Sequence, residues 1–176
     1  PYRIAPACCA GKSVQYAVSI VRPKPSPKGR NRMTAPSKAP FVSEKLIRFH
    51  HCDPAGIVFY PQYFILFHEL LEDWFNRGLD LNYADLISKE RRGLPTAHID
   101  CDFRIPSKIG DTVQMQLAVK RVGNTSITLA VSVRAGAEVR VTANQVLVLI
   151  SLEDGSVLPI PPALRQRFER FAEVAA

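Results

Sequence analysis

The fold is decided by residues 50–78, which read HHCDPAGIVFYPQYFILFHELLEDWFNRG. From residue 61 to residue 77, large apolar side chains recur at helical spacing, and polar side chains occupy the opposite side. Pro61 suits the first position of a helix, and Gly78 suits the position just after its end. This segment therefore predicts one long helix that is sunk into a core. Its apolar positions are Phe64, Phe67, Leu71, Trp74 and Phe75.

A tight turn and a short strand precede the predicted helix. In residues 53–56, DPAG, Asp comes first, Pro second and Gly fourth, which fits a type I turn. In residues 43–51, Leu46 alternates with the charged Lys45 and Arg48, so this segment predicts a strand.

Beyond the helix, the period of the apolar pattern changes from helical spacing to alternation. Residues 82–92 are polar and predict a short helix and a loop, and Pro161-Pro162 opens a last amphipathic helix. Between them, four segments rich in Val, Ile, Leu and Thr are separated by Gly or Asn turns, which predicts successive antiparallel strands. The fold class is therefore α+β. The four segments are residues 96–104, 111–121, 125–134 and 138–151.

The positive charge lies in a proline-rich tail. The 176 residues carry a formal charge of +7, but residues 1–40 hold eight basic side chains, no acid and seven of the 14 prolines. The rest, with 15 basic and 16 acidic residues, is almost neutral, which argues against a nucleic-acid-binding domain. No apolar run approaches the roughly 18 residues of a membrane span. We expect a disordered tail over residues 1–40 and one domain over residues 41–176.

The tail and the cysteines indicate where the natural chain begins and in which compartment the protein is found. Met33 is the natural start in our preferred interpretation, so residues 1–32 would be non-native; an organelle-targeting segment is the alternative. The four cysteines show no CxxC spacing, so neither a zinc ribbon nor a redox motif is predicted. A reduced, cytoplasmic protein is the simplest inference.

Residues 52–64, CDPAGIVFYPQYF, resemble the signature of the 4-hydroxybenzoyl-CoA thioesterase family. The resemblance extends over about residues 43–170. It implies a hot-dog fold, in which a curved antiparallel five-strand sheet wraps around one long central helix. It also implies an acyl-CoA substrate and a homodimer or tetramer whose subunits share the active site.

The chemistry of thioester hydrolysis explains why such residues would be needed. The reaction requires a group that attacks the carbonyl carbon or activates water, and donors for the charge that develops on the carbonyl oxygen. Asp53 supplies a carboxylate, and a helix start supplies unpaired N–H groups. Since Pro61 has no N–H, the usable donors are those of Tyr60 and then Gln62 or Tyr63. The resemblance implies that Asp53 is the catalytic carboxylate and that the Tyr60 N–H polarises the thioester.

Several alternatives stay open. Gly56 and Tyr63 are the predicted substrate-binding residues, because glycine leaves room for the acyl group beside the backbone. Asp53 can act as nucleophile or as general base, or it can simply bond the amides of its own turn. The rival functions are a thioesterase for carrier-bound acyl groups and a non-catalytic acyl-CoA binding module. The binding module is disfavoured because a charge in an apolar stretch has a cost.

Neither a metal nor a cofactor is predicted, since coenzyme A is part of the substrate. His50 and His51 are adjacent on a predicted strand, so their side chains should point to opposite faces. His98, Asp100 and Asp102 share a face, but the first and last would lie roughly 13 Å apart. A solvated or interface strand face is the preferred interpretation of these three residues.

The first prediction concerns the tail. A chain that begins at Met33 should keep the melting temperature and the thioester hydrolysis of the full chain, because residues 1–32 contain no amphipathic element. Thermal unfolding and a hydrolysis assay on both chains would test this. A large loss of either property would show that the tail packs on the domain.

Overall fold

A computed structural model describes residues 39–172 of the chain. The predictions for the tail over residues 1–38, including the start at Met33, lie outside the described residues. Among residues 39–172, no helix is long and apolar enough to cross a membrane.

The described residues form an α+β structure around a five-stranded antiparallel sheet with the strand order β1-β4-β5-β6-β3. A second, two-stranded sheet joins β2 to β7. This arrangement, with one long helix against the large sheet, confirms the predicted hot-dog fold. In chain order the elements are β1 (Phe41–Leu46), α1 (Tyr60–Asp73), α2 (Tyr83–Ser88), β2 (Arg92–Gly93), β3 (Thr96–Phe103), β4 (Thr112–Val122), β5 (Ser126–Ala135), β6 (Glu138–Val148), β7 (Ile150–Ser151) and α3 (Pro162–Glu169).

The register of the sheet puts apolar side chains in rows under the helix. One row runs through Phe41, Leu117, Val131, Ala143 and Cys101, each paired with the next across two neighbouring strands. Directly paired residues lie on the same face of a sheet, so this row faces the core. The alternating pattern of the sequence therefore specifies which face is buried.

Helix α1 buries its apolar side chains against this face of the sheet. A π-helical turn, Trp74–Gly78, continues the helix by five residues. Helix α3 covers the far end, where Phe168 stacks on Trp74 with 5.3 Å between the ring centroids. All of these side chains belong to one continuous core. The buried residues of α1 are Tyr63, Leu66, Phe67, Leu70 and Leu71.

Gly78 ends the helical segment, as the sequence predicted. Glycine is required at this position because of close packing. A Cβ atom at this position would lie 2.6 Å from Cδ1 of Trp74, a distance that real Cβ atoms do not show. Any larger residue would therefore push the Trp74 ring out of its place in the core.

The strand predicted over residues 43–51 is wrong in its second half. β1 ends at Leu46, and Phe49–His51 forms a short 3₁₀ turn. The Arg48 N–H donates to Nδ1 of His51 over 3.0 Å. A side-chain nitrogen, and not the carbonyl of a neighbouring strand, is therefore its acceptor. As a result the His50 and His51 rings contact each other, with 4.1 Å between centroids, instead of pointing to opposite faces.

The packing of α3 predicts a large loss of stability on truncating Phe168. This side chain is fully buried, so Phe168→Ala should lower the free energy of unfolding by about 3–5 kcal/mol. Phe49 is 83% exposed, so the matched change Phe49→Ala should stay within about 0.5 kcal/mol of the parent chain. Urea unfolding measures both. Equal losses would show that α3 is not part of the core.

Candidate active site

The DPAG motif forms the tip of a small hairpin. The Asp53 N–H donates to the carbonyl of Ile57 over 3.0 Å, and Cys52 pairs with Val58 in an antiparallel bridge. The Gly56 N–H donates to the carbonyl of Asp53 over 2.9 Å, which closes the predicted four-residue turn. Gly56 has a φ of +75°, a conformation that glycine adopts without strain.

A second loop, which the sequence analysis did not assign to the site, holds this hairpin in place. It connects β3 to β4 over residues 104–111. The Val58 N–H donates to the carbonyl of Ser107 over 2.9 Å, and the Ile109 N–H donates to the carbonyl of Gly56 over 3.1 Å. Backbone bonds on both sides therefore position the hairpin and the start of α1 that follows it.

The start of α1 leaves the N–H of Tyr60 free. Tyr60 is the first residue of the helix, and its N–H has no acceptor within residues 39–172. Pro61 has no N–H, and the Gln62 N–H already donates to the carbonyl of Phe59 over 2.8 Å. The structure thus excludes Gln62 as a donor for a ligand. The Tyr60 N–H lies at the positive end of the helix dipole, where an oxygen that gains negative charge is stabilised.

An apolar cavity of about 250 Å³ lies beside this helix start. The aromatic rings of Tyr60, Tyr63 and Phe103 line it, together with the aliphatic side chains of Ile57 and Val58. The Tyr63 and Phe103 ring centroids are 5.7 Å apart. A cavity of this size and lining can hold a small apolar group.

Tyr63 has a structural role as well as a place in the cavity wall. Its hydroxyl donates to Oγ of Ser107 over 3.0 Å, and both residues are buried. Burial raises the pKa of Tyr63, so the phenol stays neutral at physiological pH. This bond links α1 directly to the loop that holds the hairpin.

Asp53 lies on the turn itself and does not line the cavity. Its Oδ1 accepts a hydrogen bond from the Ala55 N–H over 2.8 Å, as expected for an aspartate that stabilises its own turn. Its Oδ2 has no partner in the described part of the chain. One carboxylate oxygen is thus held and the other is available.

Gly56 also lies on the turn, apart from the cavity. A Cβ atom there would have no heavy atom within 4 Å, so its positive φ, and not a crowded neighbour, requires glycine. The structure therefore brings Tyr60 and Tyr63 together at the cavity and leaves Asp53 and Gly56 on the adjacent hairpin.

Two arginines lie near the cavity and differ in their freedom to bind a ligand. Arg104 lines the cavity, and its one hydrogen bond to a side chain, to Thr142, is long at 3.5 Å. The Arg140 guanidinium donates to the carbonyl of Pro106 over 2.7 Å and pairs with Glu138 over 3.0 Å. Nε of Arg140 is buried without a partner among residues 39–172, but only Arg104 of the two lines the cavity, so Arg104 is the better placed to meet an anionic group there.

The two adjacent histidines lie outside any cluster of possible metal ligands among residues 39–172. Within residues 39–172, no group of three or more His, Cys, Asp or Glu side chains could hold a metal ion. His51 is buried, and burial lowers its pKa, with a smaller contribution from the neighbouring His50. Because Nδ1 of His51 accepts from a backbone N–H, its neutral form carries the proton on Nε2.

Comparison with known proteins identifies the class. Residues 47–168 match the thioesterase-like superfamily, and this match covers more than half of the chain. The chain belongs to this superfamily.

The similar proteins carry more particular names. A 1,4-dihydroxy-2-naphthoyl-CoA hydrolase from Synechocystis is 25% identical over 123 residues, which cover 69% of this chain and 88% of the relative. One from Prochlorococcus marinus strain MIT 9313 is 32% identical over 89 residues, 47% of this chain and 58% of the relative.

Solved structures show the same fold. A 1,4-dihydroxy-2-naphthoyl-CoA thioesterase from Synechocystis has a TM-score of 0.67 at 23% identity and covers 73% of this chain and 95% of its own. A gentisyl-coenzyme A thioesterase has a TM-score of 0.67 at 26% identity, covering 73% and 99%. The narrower 4-hydroxybenzoyl-CoA family, inferred from the motif, is not confirmed by these comparisons.

The buried His51 predicts that stability falls as the pH is lowered. Its pKa is depressed in the folded state, so the unfolded chain takes up the proton first as the pH falls through about 6.5. The free energy of unfolding should therefore be lower at pH 5.5 than at pH 7.5, and His51→Gln should reduce the difference. Urea unfolding at both pH values tests this. His50 is exposed and contributes less than burial to the lowered pKa of His51, so His50→Gln is the control and should reduce the difference less than His51→Gln does; an equal effect of both variants would contradict the prediction.

Proposed function

We propose that this chain hydrolyses acyl-CoA thioesters to the free acid and coenzyme A. One observation carries the proposal: the Tyr60 N–H, at the start of a 14-residue helix, has no acceptor within residues 39–172 and lies beside an apolar cavity. A preorganised donor next to a space for an acyl group is what stabilisation of a tetrahedral intermediate requires. Membership of the superfamily and the names of the relatives support the same chemistry.

In the proposed mechanism, the acyl group enters the cavity and the thioester oxygen accepts a hydrogen bond from the Tyr60 N–H. The helix dipole and this bond stabilise the negative charge that develops on the oxygen. The Asp53 carboxylate then either attacks the carbonyl carbon, forming an anhydride that water hydrolyses, or takes a proton from an attacking water. In both routes the sulfur of coenzyme A leaves and gains a proton.

The hydrogen-bonding of Asp53 suits either role. The Ala55 N–H holds Oδ1, which orients the carboxylate, and Oδ2 is left for the substrate or for water. The proposed reaction uses only a carboxylate and a main-chain donor, so it needs neither a cofactor nor a metal. That the protein binds neither stays a prediction. The cytoplasmic location likewise stays a prediction from cysteine usage.

The substrate that we propose carries an aromatic acyl group. Three aromatic rings line the cavity, and two of the similar proteins are named for 1,4-dihydroxy-2-naphthoyl-CoA and gentisyl-CoA. The 4-hydroxybenzoyl group implied by the motif belongs to the same class. Initial rates on aromatic, short aliphatic and long aliphatic acyl-CoAs, with carrier-bound acyl groups beside them, would rank the candidates. Preference for carrier-bound groups would favour the alternative carrier-protein thioesterase.

We further propose that the chain assembles with itself, as a homodimer or tetramer. The large sheet ends at β3, and no strand of residues 39–172 lies beyond it. Unpaired strand edges attract further strands, and a second copy is a partner that every solution of the protein contains. On the sequence pattern, four valines of the segment 138–151 need apolar partners: Val139, Val141, Val146 and Val148. Of these, Val141 is buried in the protomer's own core.

Replacing Asp53 tests the mechanism. Asp53→Asn keeps an oxygen that can accept from the Ala55 N–H, so the turn and the fold should survive. It removes the charge, and kcat on the best acyl-CoA should fall by roughly 10²–10⁴-fold with little change in substrate affinity. Steady-state kinetics and direct binding of a substrate analogue measure the two effects.

Two variants serve as controls. Tyr60→Phe keeps the main-chain donor and should change kcat little. Glu72→Gln removes a carboxylate from the surface of α1, where Glu72 contacts His68, and should also change kcat little. If Asp53→Asn keeps more than about a tenth of the parent turnover, Asp53 is not catalytic. The bond to Ala55 would then be its whole role, and another carboxylate, with Glu69 or Glu72 of α1 next in line, would be the catalytic candidate. If the parent chain binds acyl-CoA but does not hydrolyse it, the acyl-CoA binding module is favoured instead.

A further inference from the structure

Arg140 of β6 places a charged side chain in a largely buried position, with 15% of that side chain exposed. The sheet register passes from Val141 to Val139 over two consecutive residues of β5, so Arg140 has no partner on β5. Arg140 is therefore the extra residue of a β-bulge, a feature that bends a strand and can redirect a side chain. Its guanidinium reaches the β3–β4 loop.

Arg140 holds the first half of this loop with both its backbone and its side chain. Its carbonyl accepts hydrogen bonds from the N–H groups of Arg104, over 2.9 Å, and Ile105, over 3.2 Å. Its Nη1 donates to the carbonyl of Pro106 over 2.7 Å. Three consecutive loop residues therefore bond the same residue of β6. Only the bond to Pro106 depends on the side chain, so a substitution at position 140 can remove that bond alone.

Ser107, the next residue of the loop, joins the two parts of the candidate active site. Its carbonyl accepts from the Val58 N–H over 2.9 Å, and its Oγ accepts from the Tyr63 hydroxyl over 3.0 Å. Val58 belongs to the hairpin that carries Asp53, and Tyr63 lies in the first turn of α1, which begins at Tyr60. The position of Ser107 therefore affects how the Asp53 carboxylate lies relative to the Tyr60 N–H.

The second half of the loop is held by a different contact. There, the Lys108 N–H donates to Oδ2 of Asp111 over 2.9 Å. Pro106 is exposed and, as a proline, has no N–H of its own. Without the Arg140 side chain, the carbonyl of Pro106 would bond water, and the segment just before Ser107 would lose this anchor.

The burial of Arg140 is costly for stability. Its Nε is buried and has no hydrogen-bond partner among residues 39–172, which costs free energy. Its ion pair with Glu138 returns little, because the Glu138 side chain is 58% exposed. Replacing a buried charged pair by apolar side chains of similar volume is often neutral or stabilising. Stability alone therefore gives little reason for an arginine at this position.

We propose that Arg140 is a positioning residue for the reaction. Its bond to Pro106 fixes Ser107. Ser107 in turn holds the Asp53 hairpin in place relative to the Tyr60 N–H. The inference rests on the hydrolysis proposed above and adds a residue that does not itself line the cavity. Such a residue can matter because misplacing reacting groups by 1 Å can lower a rate about 10²-fold.

Replacing Arg140 by methionine tests this role. Methionine is unbranched and apolar and cannot donate to the Pro106 carbonyl. We expect kcat on the best acyl-CoA to fall about tenfold to a hundredfold with KM nearly unchanged, because the cavity wall stays intact. The melting temperature should also stay nearly unchanged. Arg140→Lys keeps a donor that can reach the carbonyl and should lose less activity than Arg140→Met. Equal losses in the two variants would show that the bond to Pro106 is not the cause.

Two matched variants serve as controls. Glu138→Gln removes the other partner of the same guanidinium and leaves the bond to Pro106. Arg134→Met removes a guanidinium that donates to the carbonyl of Ala137, over 3.1 Å, in the turn between β5 and β6. Both variants should keep the parent kcat. The inference is overturned if Arg140→Met keeps the parent kcat, or if Arg134→Met lowers kcat equally.

Hydrogen exchange, followed by NMR, gives a readout that needs no substrate. In Arg140→Met, the Val58 amide should exchange about tenfold faster, because its acceptor on Ser107 is less firmly held, while the amides of the central strand β5 keep the parent rate. Equally faster exchange at all these amides, or a melting temperature as low as that of Phe168→Ala, would show a general structural role and refute the proposal. If the parent chain hydrolyses no acyl-CoA, the proposed function fails, and this comparison still decides whether Arg140 holds the hairpin.

Discussion

Burial of one face of helix α1 against the five-stranded sheet is the interaction on which the rest of the structure depends. Leu66, Leu70 and Trp74 are almost completely buried, and the sheet contributes the rows of apolar residues beneath them. Fully burying each such side chain is worth about 1.5–3 kcal/mol, so the helix cannot slide or rotate without losing several of these contacts. The position of its first residue, Tyr60, follows from this packing.

A helix that is held along its length can offer its free end to a ligand. The first N–H groups of any helix lack partners within the helix, and usually a side-chain cap or water satisfies them. No side chain caps α1, and Pro61 removes one of the donors. The Tyr60 N–H is therefore free at a helix start that borders a cavity formed by aromatic and aliphatic side chains. Because the donor belongs to the main chain, its direction depends on the helix and not on a side-chain rotamer.

The hairpin and the β3–β4 loop connect this helix start to the edge of the sheet. Val58 and Gly56 bond the loop through the backbone, and Tyr63 bonds Ser107 from the helix. Phe103, at the end of β3, lines the cavity. A change at the open edge of the sheet therefore acts on residues that surround the helix start.

The sequence by itself determined most of the secondary structure and the buried face of the sheet, because alternation and helical spacing are local properties that reflect backbone geometry. The long helix after Pro61, the succession of strands along the chain and the turn at residues 53–56 were predicted, whereas the pairing of β3 with β6, and not with the next strand β4, was not. What the sequence alone could not show depends on residues that are far apart in the chain. The bond between Tyr63 and Ser107 spans 44 residues, and the contact that requires glycine at position 78 involves the packed ring of Trp74. Only the three-dimensional structure showed that the N–H of Gln62 is used, by the carbonyl of Phe59, and that the N–H of Tyr60 is free, because the sequence pattern at a helix start permits either.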